Sequence, residues 1–162
     1  MMKSDKSIHD VCIASIKRST IKPYDFRWTK FYVLNSDYEY SYPEIPIKFS
    51  ENELIICSTI IDSKNFSILT TQRLTTNEGG IINTGSLIEA TDKLYGDFKG
   101  YEDRAFTFGL VQLKSGADLK YFIETGKASM IMIYGVRTII RIQKMSNTQI
   151  HNLINIWNRE NE

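Results

Sequence analysis

The stretch that decides the fold runs from Glu53 to Ser86, ELIICSTIIDSKNFSILTTQRLTTNEGGIINTGS. Short runs rich in Ile, Thr, Phe and Leu are broken at Asp62-Ser63-Lys64-Asn65 and at Asn77-Glu78-Gly79-Gly80, where Asn and Gly can supply positive φ. Runs of this length between turn clusters read as antiparallel strands joined by hairpins. The same texture extends from about residue 47 to residue 125, through IKF, SLIEA, AFTFGLVQL and LKYFIE. Phe106 to Leu113 is apolar on much of both faces, which predicts a central strand. The one long insertion is Thr91 to Arg104.

Helical spacing flanks this region. Ile8, Val11, Cys12 and Ile16 share one helix face, with Ser4 or Asp5 as N-cap, and Pro23 bars continuation. Phe31 to Leu34 reads as a short extended run, and the segment DYEYSYPEIP, with Pro43 and Pro46, as a loop or edge strand. After Gly126, Met132, Val136, Ile139 and Ile140 fall near one face, and Ser146-Asn147-Thr148 caps a second helix carrying Ile150, Leu153, Ile154 and Trp157. A last strand from Ala128 to Tyr134 followed by one helix is the alternative. The expectation is an α+β protein, an antiparallel barrel or strongly bent sheet with an N-terminal helix and C-terminal capping helices, Trp157 lying on the plug. The 162 residues suit a single domain: 1–30 helix and connection, 31–125 strands, 126–162 helical segment.

The hairpin Ile68-Leu69-Thr70-Thr71-Gln72-Arg73-Leu74, an apolar-Thr-x-x-Arg-Leu pattern at a tight turn, resembles the hairpin of bacterial pleckstrin-homology-like domains, and YFIETGKASM is similar to their final strand and helix entry. The resemblance covers roughly residues 50–145. It implies a seven-stranded PH-like barrel capped by a helix. Members of that family bind lipids, bind proteins or assemble with themselves, and the hairpin does not choose among these.

Composition narrows the function classes. Charged residues are 24% and apolar residues 42%, and 20 Lys and Arg face 19 Asp and Glu, which argues against a disordered chain or a nucleic-acid coat. No apolar run approaches the roughly 18 residues needed to span a bilayer, and the N-terminus lacks the continuous apolar core of a secretion signal. A cytoplasmic chain is expected, with Cys12 and Cys57 as reduced core thiols. His9 and His151 have no ligand-spaced neighbours, so no metal and no cofactor are expected. GxSxG, GxGxxG and GxxxxGK[ST] are all missing from the sequence. An enzyme would have to rest on paired carboxylates such as Glu89 and Glu102 near the insertion, and a non-catalytic binding module that recognises a partner protein through loops and a sheet edge is preferred.

Two aromatic strings suit recognition of a partner protein. Tyr38, Tyr40 and Tyr42 alternate with acidic or small residues and would share a face if extended. Tyr95, Phe98 and Tyr101 sit beside or between Gly96 and Gly100 in the insertion, either as anchors for a partner or folded back on the barrel. An acidic tyrosine strip also suits an antitoxin or immunity protein that neutralises a basic toxin. Charge is uneven: net +4 over residues 1–30, -7 over 31–103 and +4 over 104–162. Lys17, Arg18, Lys22, Arg27 and Lys30, joined by Arg137, Arg141 and Lys144, would form a basic face suited to anionic lipid. Self-association through a sheet edge is a further expectation.

Overall fold

The computed structural model describes residues 3–143 and 145–160. The chain is α+β, with α1 (Asp5–Ser19), β1 (Thr29–Phe31), α2 (Asn35–Ser41), β2 (Ile55–Asp62), β3 (Asn65–Thr70), β4 (Leu74–Glu78), β5 (Ile81–Gly85), β6 (Thr91–Leu94), β7 (Phe106–Gln112), β8 (Asp118–Glu124), α3 (Ser129–Ile142) and α4 (Asn147–Glu160). The strands form two antiparallel sheets, ordered β1-β2-β3-β4-β5 and β6-β7-β8. β7 is central in the smaller sheet, as its two-sided apolar pattern requires.

Over β2 and β3 the larger sheet is buried on both faces. Cys57 and Leu69 join α1, α3 and the smaller sheet in the main core, while Ile55, Ile60, Phe66 and Ile68 form a second core with Tyr32, Tyr38 and Ile45. Two-sided burial explains why β2 is apolar or small at every position from Ile55 to Ile60. The second face is covered by α2 and the chain that follows it. That segment was expected as a loop or edge strand, and the difference has a local cause. Tyr38 on α2 and Tyr42 at its C-cap, whose N–H still donates to the Tyr38 carbonyl, fall on one side and meet at 5.6 Å between ring centroids, so the helical turn buries what an extended chain would leave half exposed.

α3 is buried around most of its circumference because it lies between the sheets and α1. It sits directly against the larger sheet at Gly135, where a Cβ would stand 2.9 Å from Cys57 Sγ and 3.0 Å from Leu69 Cδ2. Glycine costs about 1 kcal/mol in a helix interior, and here the cost is offset by direct seating of the helix on the sheet. The alternative of a final strand over residues 128–134 is overturned by this packing. Both thiols lie beneath α3; Cys12 is 4.0 Å from the Gly135 carbonyl and Cys57 3.9 Å from that of Ile131, both free, and burial pushes both thiols up. The helix that covers the sheets is therefore α3, not the Trp157 helix; α4 packs on α1, with Arg18 5.7 Å from the Trp157 ring centroid. Three further expectations change. IKF and SLIEA are not strands, and the long insertion begins with β6, so it is part of a sheet.

Two carboxylates tie the long connections down. Glu124, ending β8, accepts from the Arg27 and Trp28 amides at 3.2 and 2.8 Å and from the Thr29 hydroxyl at 2.8 Å, which fixes the entry into β1. Glu53, 2% exposed, accepts from the Ser50 amide at 3.0 Å, the Thr70 hydroxyl at 2.5 Å and Arg73 Nε at 2.9 Å. The Thr and Arg of the apolar-Thr-x-x-Arg-Leu hairpin thus converge on one buried acid. Burial opposes the charge on Glu53, but the hydrogen bonds from Thr70, Ser50 and Arg73, helped by the Arg73 charge, hold its carboxyl below the usual range.

Candidate protein-binding site

β5 is an edge strand. It pairs with β4 from Glu78↔Ile81 to Leu74↔Gly85, and no strand of the described residues lies on its other side. The turn that launches it needs glycine at both positions, since Gly79 and Gly80 have φ of 62° and 94°. Asn65 Oδ1 and Asn77 Oδ1 accept from their amides at 3.0 and 2.9 Å, fixing the strand at its start. Ile81 and Ile82 are 69% and 61% exposed. Residues 79–88 carry no charge, so this edge has none of the Lys, Asp or Pro guards that normally discourage strand addition.

An apolar groove of about 210 Å³ adjoins the strand. Ile45, Pro46 and Ile47 form one wall, Phe66, Ile68 and Ile82 the floor and the other wall, and Lys48 and Arg73 stand at the rim. The groove exists because the cover supplied by the chain after α2 stops short of β5. Phe66 and Ile68 are closed off, whereas Ile82, two strands further on, is not.

The expected aromatic strings are not surfaces of this kind. Tyr38 is fully buried and its hydroxyl donates to the Ile45 carbonyl at 2.7 Å; burial, then the neighbouring Tyr42 and Glu44, push its phenol up. Tyr42 is half-buried with Lys30 Nζ 5.6 Å from its ring centroid, and Tyr40 alone of the three projects into solvent, 91% exposed. The idea that all three share an exposed face is corrected by the helix, which turns Tyr40 away from its neighbours. In the insertion, Tyr95 and Phe98 fold back on the core and meet edge to face at 6.2 Å, with the Tyr95 hydroxyl donating to Asp92; Tyr101 is 82% exposed.

The cations are dispersed among separate contacts. Lys22 is exposed, Lys17 is half-buried, Arg27 lies 4.5 Å from the Trp28 ring centroid, and Arg18 faces Trp157. Arg137 is 3.9 Å from Asp92 on β6, Arg141 is exposed, and Lys144 lies outside the described residues. Glu89 and Glu102 both lie at the surface, paired with Lys114 at 2.7 Å and Arg104 at 3.7 Å. His9 is buried with Nε2 donating to the Tyr32 carbonyl at 2.9 Å, and His151 is exposed. No group of three His, Cys, Asp or Glu able to hold a metal ion occurs among the described residues, and none of their helices is long and apolar enough to cross a membrane.

Sequence reasoning expected recognition at a sheet edge without saying which one. The signal was present in GGIIN, where paired isoleucines follow a two-glycine turn and no charge follows until Glu89, and the groove was hidden because its far wall comes from residues 45–47. No protein-family model, no curated protein and no solved structure matches this chain.

Proposed function

We propose that this protein is a non-catalytic binding module that takes an extended segment of a partner protein along β5, adding it as a sixth strand to the larger sheet. Backbone hydrogen bonds to the open edge would supply affinity, and an apolar side chain seated beside Ile82 would supply selectivity. The observation that carries the reading is the coincidence of an unguarded, charge-free edge with an apolar groove along the same strand. Consecutive hairpins in two antiparallel sheets followed by α3 also support the likeness to bacterial pleckstrin-homology-like domains, although the two sheets do not join into a closed barrel. With Tyr38 buried, an acidic tyrosine strip for a basic toxin is not formed, and the recognition role passes to the edge.

Site-specific photo-crosslinking in the cell of origin tests this. A benzophenone side chain placed at position 82 is expected to yield an adduct with a different polypeptide, lost when Ile81→Lys is added, and the same probe at exposed position 115 is expected to yield none. Adducts formed only with a second copy of the chain, or equally from both positions, would overturn the reading.

A further inference from the structure

A second concavity lies where the start of α1, the β3–β4 turn, the chain after β5 and the end of α3 meet. Its volume is about 620 Å³, well within the range of small-molecule sites. Its floor is apolar, built from Ile8, Leu87 and Ile139, each under a tenth exposed. Three charged residues line it: Arg73, whose guanidinium is paired with Glu53, and Lys3 and Asp5, which are opposite in sign and form no ion pair with each other. Asp5 Oδ1 accepts from the Thr71 hydroxyl at 2.5 Å and from Gln72 Nε2 at 3.3 Å, so its carboxylate is held in place by neutral donors, and Oδ2 has no protein partner among the described residues. The Lys3 ammonium forms no ion pair among the described residues.

A ligand that satisfies this lining must present a cation to Asp5, an anion to Lys3 and an apolar body to the floor. A purely anionic ligand would meet Asp5 uncompensated, and a purely cationic one would meet Lys3 in the same way. We infer that this cleft binds a small zwitterion with an apolar side chain, of the class of free apolar α-amino acids. The site is separate from the β5 groove: it uses the α1 face of the β3–β4 turn, and only Thr70 and Arg73 contribute to both. Its occupancy does not depend on whether β5 takes a partner.

Calorimetric titration of the full chain, without an N-terminal tag, decides the matter with three probes that share one ring: L-phenylalanine, 3-phenylpropionate and 2-phenylethylamine. L-phenylalanine is expected to bind about tenfold or more tightly than either singly charged analogue, since each lacks one charge-assisted contact. Asp5→Asn keeps an acceptor for Thr71 and removes the charge; it is expected to reduce L-phenylalanine to the level of 3-phenylpropionate while leaving 3-phenylpropionate no weaker. Lys3→Met is expected to produce the mirror result with 2-phenylethylamine. Absence of L-phenylalanine binding up to about 10 mM, or equal binding of all three probes, overturns the inference, provided that thermal unfolding shows the variants folded.

Discussion

The Phe122 backbone N–H donates to Ser67 Oγ at 2.8 Å, linking β8 to a side chain on the face of β3. Ser67 is 2.7 Å from Thr76 Oγ1, and the Thr76 hydroxyl donates to the Lys120 carbonyl at 2.7 Å. With both ends fixed, the protons run one way, from Phe122 N–H through Ser67 and Thr76 to the Lys120 carbonyl. Two hydroxyls thereby satisfy one N–H and one C=O on the open edge of β8, where a closed barrel would use a backbone ladder. The β8 edge is thus partly occupied by the protein's own side chains, while no strand of the described residues lies beside β5 on its open side, and this contrast favours β5 over β8 for strand addition.

Ser67→Ala breaks the relay at its first member and leaves the buried Phe122 amide without a partner. Loss of about 1–3 kcal/mol is expected in urea-unfolding midpoints. Thr76→Val should cost a similar amount, and the double variant distinctly less than the sum, because both substitutions interrupt one chain of bonds. Additive losses would show that the hydroxyls act independently.

The relay also shows what the sequence withheld. Hairpin turns, an N-cap at the start of α1 and the centrality of β7 follow from local pattern and are observed, whereas the set of strands is not the expected one, since IKF and SLIEA are irregular and β6 lies in the insertion. Ser67 and Thr76 read as ordinary strand residues, since their partner is 44 to 55 positions away and only sheet packing brings it near. α2 was missed for a related reason: seven residues give too short a period to read, and its helicity depends on Tyr38 finding a pocket beneath Ile45. The β5 groove needed three remote segments at once, so only its charge-free strand was visible beforehand.

Gly135→Ala tests the seating of α3. The added methyl would stand 2.9 Å from Cys57 Sγ and 3.0 Å from Leu69 Cδ2, between a sheet and a helix that cannot both retreat. Despite the better helix propensity of alanine, a net loss of about 1–3 kcal/mol is expected from overpacking. Adding Cys57→Ala should recover part of it. A gain in stability on Gly135→Ala alone would mean that the helix is more loosely seated than these distances say.

Tyr121 poses the opposite case. Its ring occupies the space left by the missing side chain of Gly109, its cross-strand partner, yet its hydroxyl is buried without a hydrogen bond among the described residues. Tyr121→Phe keeps the ring and removes the orphan group, so stability is expected to be unchanged or higher by up to about 1 kcal/mol. A loss above that range would reveal a partner for the hydroxyl, such as a buried water.

Glu53 and Asp92 should give acid responses of opposite sign. The Glu53 carboxyl is held below its ordinary value in the fold, so its contribution is present in full above the unfolded value and is lost as pH falls through the folded one. Asp92 is held above its ordinary value, chiefly by burial, against the Tyr95 hydrogen bond and the charges of Arg137 and Arg141. Its ionisation therefore costs stability above the folded value, and that cost disappears as pH falls below the unfolded one. Glu53→Gln is expected to lose about 3 kcal/mol at pH 7, near the low end for breaking a buried pair because Arg73 is partly solvated, and to flatten the acid limb of a stability–pH curve. Asp92→Asn is expected to be neutral or stabilising by about 1 kcal/mol at pH 7, with the advantage vanishing towards pH 3. Urea midpoints for both variants at pH 7 and pH 3 check the pair, and matching pH trends in the two would refute the assignment of opposite signs.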